Sequence, residues 1–223
     1  MTESEEIPRL ISGRAYLQHG PVVINSSSDF EEQGWPGNGT PSNPYTLEGL
    51  NITANGTCIN ITDTNVFFLV KDCFLPGIKG DKGCGLYLEN VTHGRIVNCI
   101  SNFTRIGYQV ENCVDCVLED NIASQTNQSG IYLSNTSHCL LNNNTVVLTK
   151  KNGFSVTDST ACTISNNLAS ENEKSGFHFH SLSNSTFKNN TATMNFENGF
   201  GIYRCLDLYF SMSRAFDNDG DGF

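Results

Sequence analysis

Residues 153–175, GFSVTDSTACTISNNLASENEKS, and residues 176–198, GFHFHSLSNSTFKNNTATMNFEN, match one another position by position in kind. Each opens with a glycine and then alternates apolar and polar side chains, Phe154 and Val156 in the first, Phe177 and Phe179 in the second. A period of two is the mark of a strand with one buried face. A second alternating pair follows, Cys162 and Ile164 against Ser185 and Phe187, and then an asparagine pair, Asn166 and Asn167 against Asn189 and Asn190. Outward from these two units the glycine recurs at Gly85, Gly107, Gly130, Gly153, Gly176, Gly199 and Gly222, in steps of 22 and then 23 five times, with an earlier and longer unit beginning near Cys58. A unit of this length without a 3.6-residue apolar stripe is too short for a strand plus a helix, and it suits one coil of a parallel β-helix.

The fold class expected is therefore all-β: a parallel β-helix solenoid of about seven coils over residues 47–223, with residues 1–46 as an N-terminal cap on the open core. Equivalent residues then stack about 4.8 Å apart. Cys116, Cys139 and Cys162 fall in one inward column and Cys73 is expected to stack on Cys99. The asparagine pairs, Asn143 and Asn144 included, mark a corner and can pass amide hydrogen bonds from coil to coil. The small residues Ala123, Val146, Ala169, Ala192 and Ala215 are expected where the chain bends tightly against the core. The final GDGF stops one strand into a new coil, so the pattern reads as continuing, or as an excised fragment.

The formal charge of −10 and the isoelectric point near 4.8 set the chain against nucleic acid and anionic membranes. Its thirteen Lys and Arg are thinly scattered along the sequence, with no basic cluster in view. No run of eighteen apolar residues is present, and the opening MTESEEIPRL lacks the basic and apolar regions of a secretory signal, so neither a membrane span nor an export address is expected in this chain. Twelve glycosylation sequons, at Asn25, Asn38, Asn51, Asn55, Asn60, Asn90, Asn102, Asn127, Asn135, Asn143, Asn184 and Asn189, favour a cell-surface or extracellular glycoprotein. Nine cysteines leave at least one thiol unpaired, and no metal framework of the CxxC kind is complete, since Cys113 and Cys116 lack a second pair.

On these repeats the sequence resembles right-handed parallel β-helix proteins of the pectin lyase fold, above all the sugar-binding and NosD-like periplasmic group, over about residues 47–223. The lead-in from His19 to Ile52, with GNGT and NPYTLEGL, is similar to that of archaeal surface proteins of this kind. The resemblance implies right-handed winding and places polysaccharides on the outer face of the first sheet.

On that face the alternation puts Tyr87, Gln109, Tyr132, Ser155, His178 and Gly201 in one outward column and Glu89, Glu111, Ser134, Thr157, His180 and Tyr203 in the next. Aromatic faces suit sugar rings, and carboxylates or amides suit hydroxyls, so Tyr87, Glu89, Glu111, Tyr132, His178, His180 and Tyr203 form the expected ligand strip. Its partner would be a polysaccharide or surface glycan, bound without catalysis or built into an extracellular layer. Two other readings stand beside this one. A polysaccharide lyase or glycoside hydrolase could use Glu89 and Glu111, stacked in adjacent coils, but the hydrolases' GHG signature is absent and THG at 92–94 is only a partial echo. A NosD-like copper-handling protein would call for clusters of Met and His, against three Met and five scattered His here. No cofactor is expected, except that Asp217, Asp219 and Asp221 alternate in DNDGDG as in an oxygen-rich calcium loop, without the closing glutamate of an EF-hand. Oligomeric state is not legible.

Overall fold

The structure, a computed structural model, describes residues 15–78 and 82–223. Three parallel sheets carry nearly all of it. The first has eight strands, among them Val22–Ile24, Cys84–Val91, Ile106–Glu111, Ile131–Ser134, Phe154–Thr157, Phe177–His180 and Phe200–Tyr203. The second also has eight, from Tyr45–Glu48 to Tyr209–Ser211, and the third has nine, from Leu17–Gln18 to Arg214–Phe216. Each coil contributes one strand to each sheet in turn, and every strand pairs only with its equivalents in the coils before and after. The chain is thus the expected β-helix, of about seven turns at 23-residue spacing. The opening decapeptide and the rest of residues 1–14 of the expected cap lie outside the described residues. Among the described residues no helix is long and apolar enough to cross a membrane.

From Gly85 onward four corners per coil have left-handed backbone, and they explain the composition. The corner after the second strand is taken by Asn98, Asp120, Asn143, Asn166, Asn189 and Met212, all with φ between 54° and 58°. Asn and Asp enter this region at least cost among residues with a side chain. The second asparagine of each pair turns inward. Asn121, Asn144, Asn167 and Asn190 are fully buried, and each receives on its Oδ1 the backbone N–H and the side-chain amide of the equivalent asparagine one coil earlier, or, for Asn121, the backbone N–H of Cys99. A second buried ladder runs through Asn172, Asn195 and Asn218.

The repeat glycines have a different cause: the first and third sheets converge there. A Cβ on Gly107 would lie 2.7 Å from the Ala123 Cβ, and one on Gly176 2.9 Å from that of Ala192. The small-residue column expected at a tight bend is accordingly the middle of the third strand, kept small by the glycines opposite. Elsewhere the core is aromatic and aliphatic. Phe154, Phe177, Phe200 and Phe223 stack with ring centroids 4.7, 4.8 and 4.7 Å apart. All nine cysteines are free thiols and eight are buried. Burial, with the neighbouring Cys73, holds the Cys99 thiol well above its ordinary pKa, as expected of a reduced core residue. At the N-terminal end, a short helix, Asp29–Glu32, sets Phe30 against Tyr45 and Phe68, with centroids 5.0 and 5.4 Å away.

Candidate functional site

The strand register sets the two outward columns side by side in the expected order. Gln109 lies between Tyr87 and Tyr132, Ser155 between Tyr132 and His178, and Glu111 between Glu89 and Ser134. At the N-terminal end the side chains are already committed to one another. Tyr87 Oη donates to Glu111 Oε2 at 3.0 Å, and Gln109 Nε2 donates to Glu111 Oε1 at 2.8 Å. Arg105 Nη2 donates to Gln109 Oε1 at 2.6 Å and to Cys84 Sγ at 3.3 Å. Burial, followed by the Glu89 and Glu111 carboxylates, pushes the Tyr87 phenol well above its ordinary range, so it remains a proton donor at neutral pH.

Beyond this cluster the face opens into a groove of about 390 Å³. In coil order its lining runs from Arg105 and Glu111 through Tyr132 to Lys151, Asn152 and Ser155 and then His178. Of the seven expected strip residues, Glu111, Tyr132 and His178 line the groove. Tyr87 and Glu89 sit in the coil before it, His180 shares the strand of His178 without lining the groove, and Tyr203 lies in the coil after it. Tyr203 does not stand straight out from its own column. Its ring leans over Gly201 and packs on His178 at a centroid distance of 5.2 Å. His178 itself is half-buried, and burial, then the adjacent His180, holds its pKa below the ordinary 6.5. His180 Nδ1 lies 3.1 Å from the Ser181 hydroxyl.

Stacking reveals a feature that the linear sequence hides. The turns that lead into the first sheet place Lys82, Arg105, Lys150, Lys151 and Lys174 along one ridge, although the protein as a whole carries ten net negative charges. Lys174 is paired with Glu197 of the next coil at 2.7 Å. Placing the turns in the 23-residue register would have aligned Arg105, Gln128, Lys151 and Lys174; scattered along the sequence they look like isolated charges.

The aspartates of DNDGDG are exposed, and the Asn218 between them is drawn inward to continue the buried ladder. Among the described residues no group of three or more His, Cys, Asp and Glu side chains is arranged to hold a metal ion.

A family model described as "Periplasmic copper-binding protein (NosD)" matches residues 76–210. Among solved structures, the chain is similar to the periplasmic alginate epimerase AlgG, with a TM-score of 0.67 and 17% identity over 76% of this chain and 45% of that one. It is also similar to the A-module of the Azotobacter vinelandii mannuronan C-5 epimerase AlgE4, with a TM-score of 0.55 and 15% identity over 97% of this chain and 72% of that one. The Dettilon tailspike protein gives a TM-score of 0.52 at 15% identity, over 96% of this chain and 58% of that one. At these identities the likeness shows the fold alone, a right-handed parallel β-helix. The chain spans 45% of the length of the epimerase AlgG. No curated protein sequence matches it.

Proposed function

The chain belongs to the NosD family, and from that premise and the geometry of the groove we propose that it is a carbohydrate-binding β-helix whose ligand is an acidic polysaccharide lying along the outer face of the first sheet. One observation carries the reading: a groove on that face brings Tyr132, Arg105 and Lys151 together in its lining. An aromatic face takes the apolar side of a sugar ring, guanidinium and ammonium groups take carboxylates, and Ser155 and Asn152 take hydroxyls. Similarity to epimerases whose names specify alginate and mannuronan supports the same ligand class. Tyr87, Glu89, His180 and Tyr203 extend the strip beyond the groove, so a longer chain would meet them as additional weak contacts.

Copper, named in the family's description, does not fit the donors present. His178 and His180 face neighbours that supply Ser155, Thr157, Gly201 and Tyr203, none of them a strong copper ligand. Eight of the nine thiols are buried, and Cys84, which reaches the outer-face cluster, is already engaged by Gln109 and Arg105. A surface calcium on Asp217, Asp219 and Asp221 remains a separate proposal, which chelation during a thermal melt would test. A second functional reading, polysaccharide cleavage or epimerisation, has one feature in its favour: Glu111 and His178, both able to move a proton, line the same groove as Arg105. Against it, both Glu111 oxygens already accept hydrogen bonds. The location that accords with the family's description and with the sequons is outside the cytoplasm, in the periplasm or at the cell surface; eight of the twelve sequon asparagines are exposed.

The test is titration calorimetry with oligouronates of increasing length. Affinity should rise with length, and Tyr132→Ala should weaken it by about 1 kcal/mol, roughly fivefold, with the melting temperature unchanged. Binding indifferent to Tyr132 and Arg105 would place the ligand on another face. Shortened or epimerised chains that disappear with Glu111→Gln would establish the enzyme.

A further inference from the structure

The basic ridge has a groove on each side. The one facing the first sheet is the candidate site above. On the flank facing the third sheet lies a second cavity of about 440 Å³, lined by Phe103, Gln125, Thr126, Asn127, Leu148, Lys150 and Glu173. Phe103 and Leu148 occupy the same corner position two coils apart, about 10 Å, with Gln125 between them. That corner is left-handed, with φ of 58° at Phe103 and 59° at Leu148. Large apolar side chains are the least suited to such backbone, and here Phe103 is 40% exposed and Leu148 only half-buried. At the other three corners of these coils Asn, Asp and His predominate. At this corner Phe103 and Leu148 instead set two apolar side chains on the wall of the cavity.

The rest of the lining suits a polyol. Two amides, Gln125 and Asn127, stand between the apolar walls, and Thr126 Oγ1 is turned away to donate to the Gln128 carbonyl at 3.0 Å. Lys150 and Glu173 contribute one charge of each sign, whereas the first-sheet groove sets two cations, Arg105 and Lys151, against one carboxylate, Glu111. We propose that this cavity is a second saccharide site, separate from the first and of different selectivity. It takes a neutral hexose ring seated between Phe103 and Leu148, its hydroxyls meeting Gln125, Asn127, Lys150 and Glu173. The protein then has an acidic-glycan groove and a neutral-sugar cavity back to back across one row of turns.

The experiment is calorimetric titration of the whole chain with neutral tri- to hexasaccharides of glucose, mannose and galactose, and in parallel with an oligouronate. The variants are Phe103→Asn, Leu148→Asn, Glu173→Gln and Tyr132→Ala. Asparagine is at home in left-handed backbone, so Leu148→Asn should fold and melt no lower than the parent. Both asparagine variants should lose about tenfold or more in affinity for the neutral sugar and keep oligouronate binding, with Tyr132→Ala giving the converse. Glu173→Gln leaves the corner untouched and should weaken the neutral sugar alone. The proposal is overturned if the parent binds none of the neutral panel, if that binding survives the Phe103, Leu148 and Glu173 changes, or if it disappears with Tyr132→Ala. Loss of oligouronate binding alone would count against the first groove and leave this site standing.

Discussion

At the scale of single residues, the asparagine pairs separate what a sequence pattern can and cannot reveal. The pair itself, and its place at a corner, are plain from Asn143–Asn144, Asn166–Asn167 and Asn189–Asn190. Which member faces inward is not, because both are polar and either could form a ladder; the left-handed φ of the first member decides it by turning the second into the core. The consequence is measurable. Asn167→Ala would take the acceptor from the buried backbone N–H of Asn144, one of the two bonds from the Asn144 side-chain amide, and the amide donor to the Leu141 carbonyl, at about 1–3 kcal/mol for a buried group left unpaired. Asn166→Ala, at the exposed corner, should cost well under half as much in a thermal or denaturant melt. Equal losses would mean that the ladder stabilises nothing. His178 offers a test in the pH dependence. Its folded pKa lies below 6.5, so as pH falls through that value the unfolded chain binds more protons than the folded one, and stability declines until the folded imidazole also titrates. Melts between about pH 5 and 8 should show this decline in the parent and a flatter profile in His178→Gln.

Among the elements, strand positions and register were the most legible part, because a constant step from glycine to glycine admits one way of stacking the coils. The unit beginning at Gly85 is one residue short, and the shortfall is absorbed in the turn Phe103–Ile106 while Tyr108, Gln109 and Val110 keep their partners Leu86, Tyr87 and Leu88. The candidate site was legible only in part. Outward strand residues follow from alternation, so Tyr132 and His178 could be named; turn residues such as Arg105 and Lys151 obey no alternation, and their convergence depends on how each turn folds back. Nor could spacing anticipate that Tyr203 leans across its neighbour, since the room for that movement comes from Gly201. The lead-in is an element whose role is best probed directly. If residues 15–46 close the core, Phe30→Ala should remove about 3 kcal/mol of local stability. Hydrogen exchange should then quicken in Val22–Ile24 and Tyr45–Glu48 and leave strands beyond Ile131 unchanged. Acceleration spread evenly over all coils would argue against a cap.

For the molecule as a whole, the basic ridge on an acidic protein makes salt a sharp discriminator. Ammonium and guanidinium groups attracting a carboxylated chain at the surface are screened within about 10 Å at 0.1 M ionic strength. Oligouronate affinity should therefore fall steeply as salt is raised, and neutral-sugar affinity should barely move. Titrations at low and high salt check this; a salt-independent oligouronate would leave Arg105 and Lys151 without a part in binding. The coil-by-coil hydrogen bonding has a further consequence, for how such a molecule can change over generations. Each coil offers its successor the same open carbonyls and amides that it took from its predecessor, so an in-frame copy of one unit, residues 153–175 for instance, can be spliced in as a ready-made storey. The duplicate finds its asparagine, phenylalanine and glycine neighbours already in place, and the binding face lengthens by one step of about 4.8 Å. Reach toward a longer ligand is thus open to inheritance by copying, with no need for the core to be reinvented.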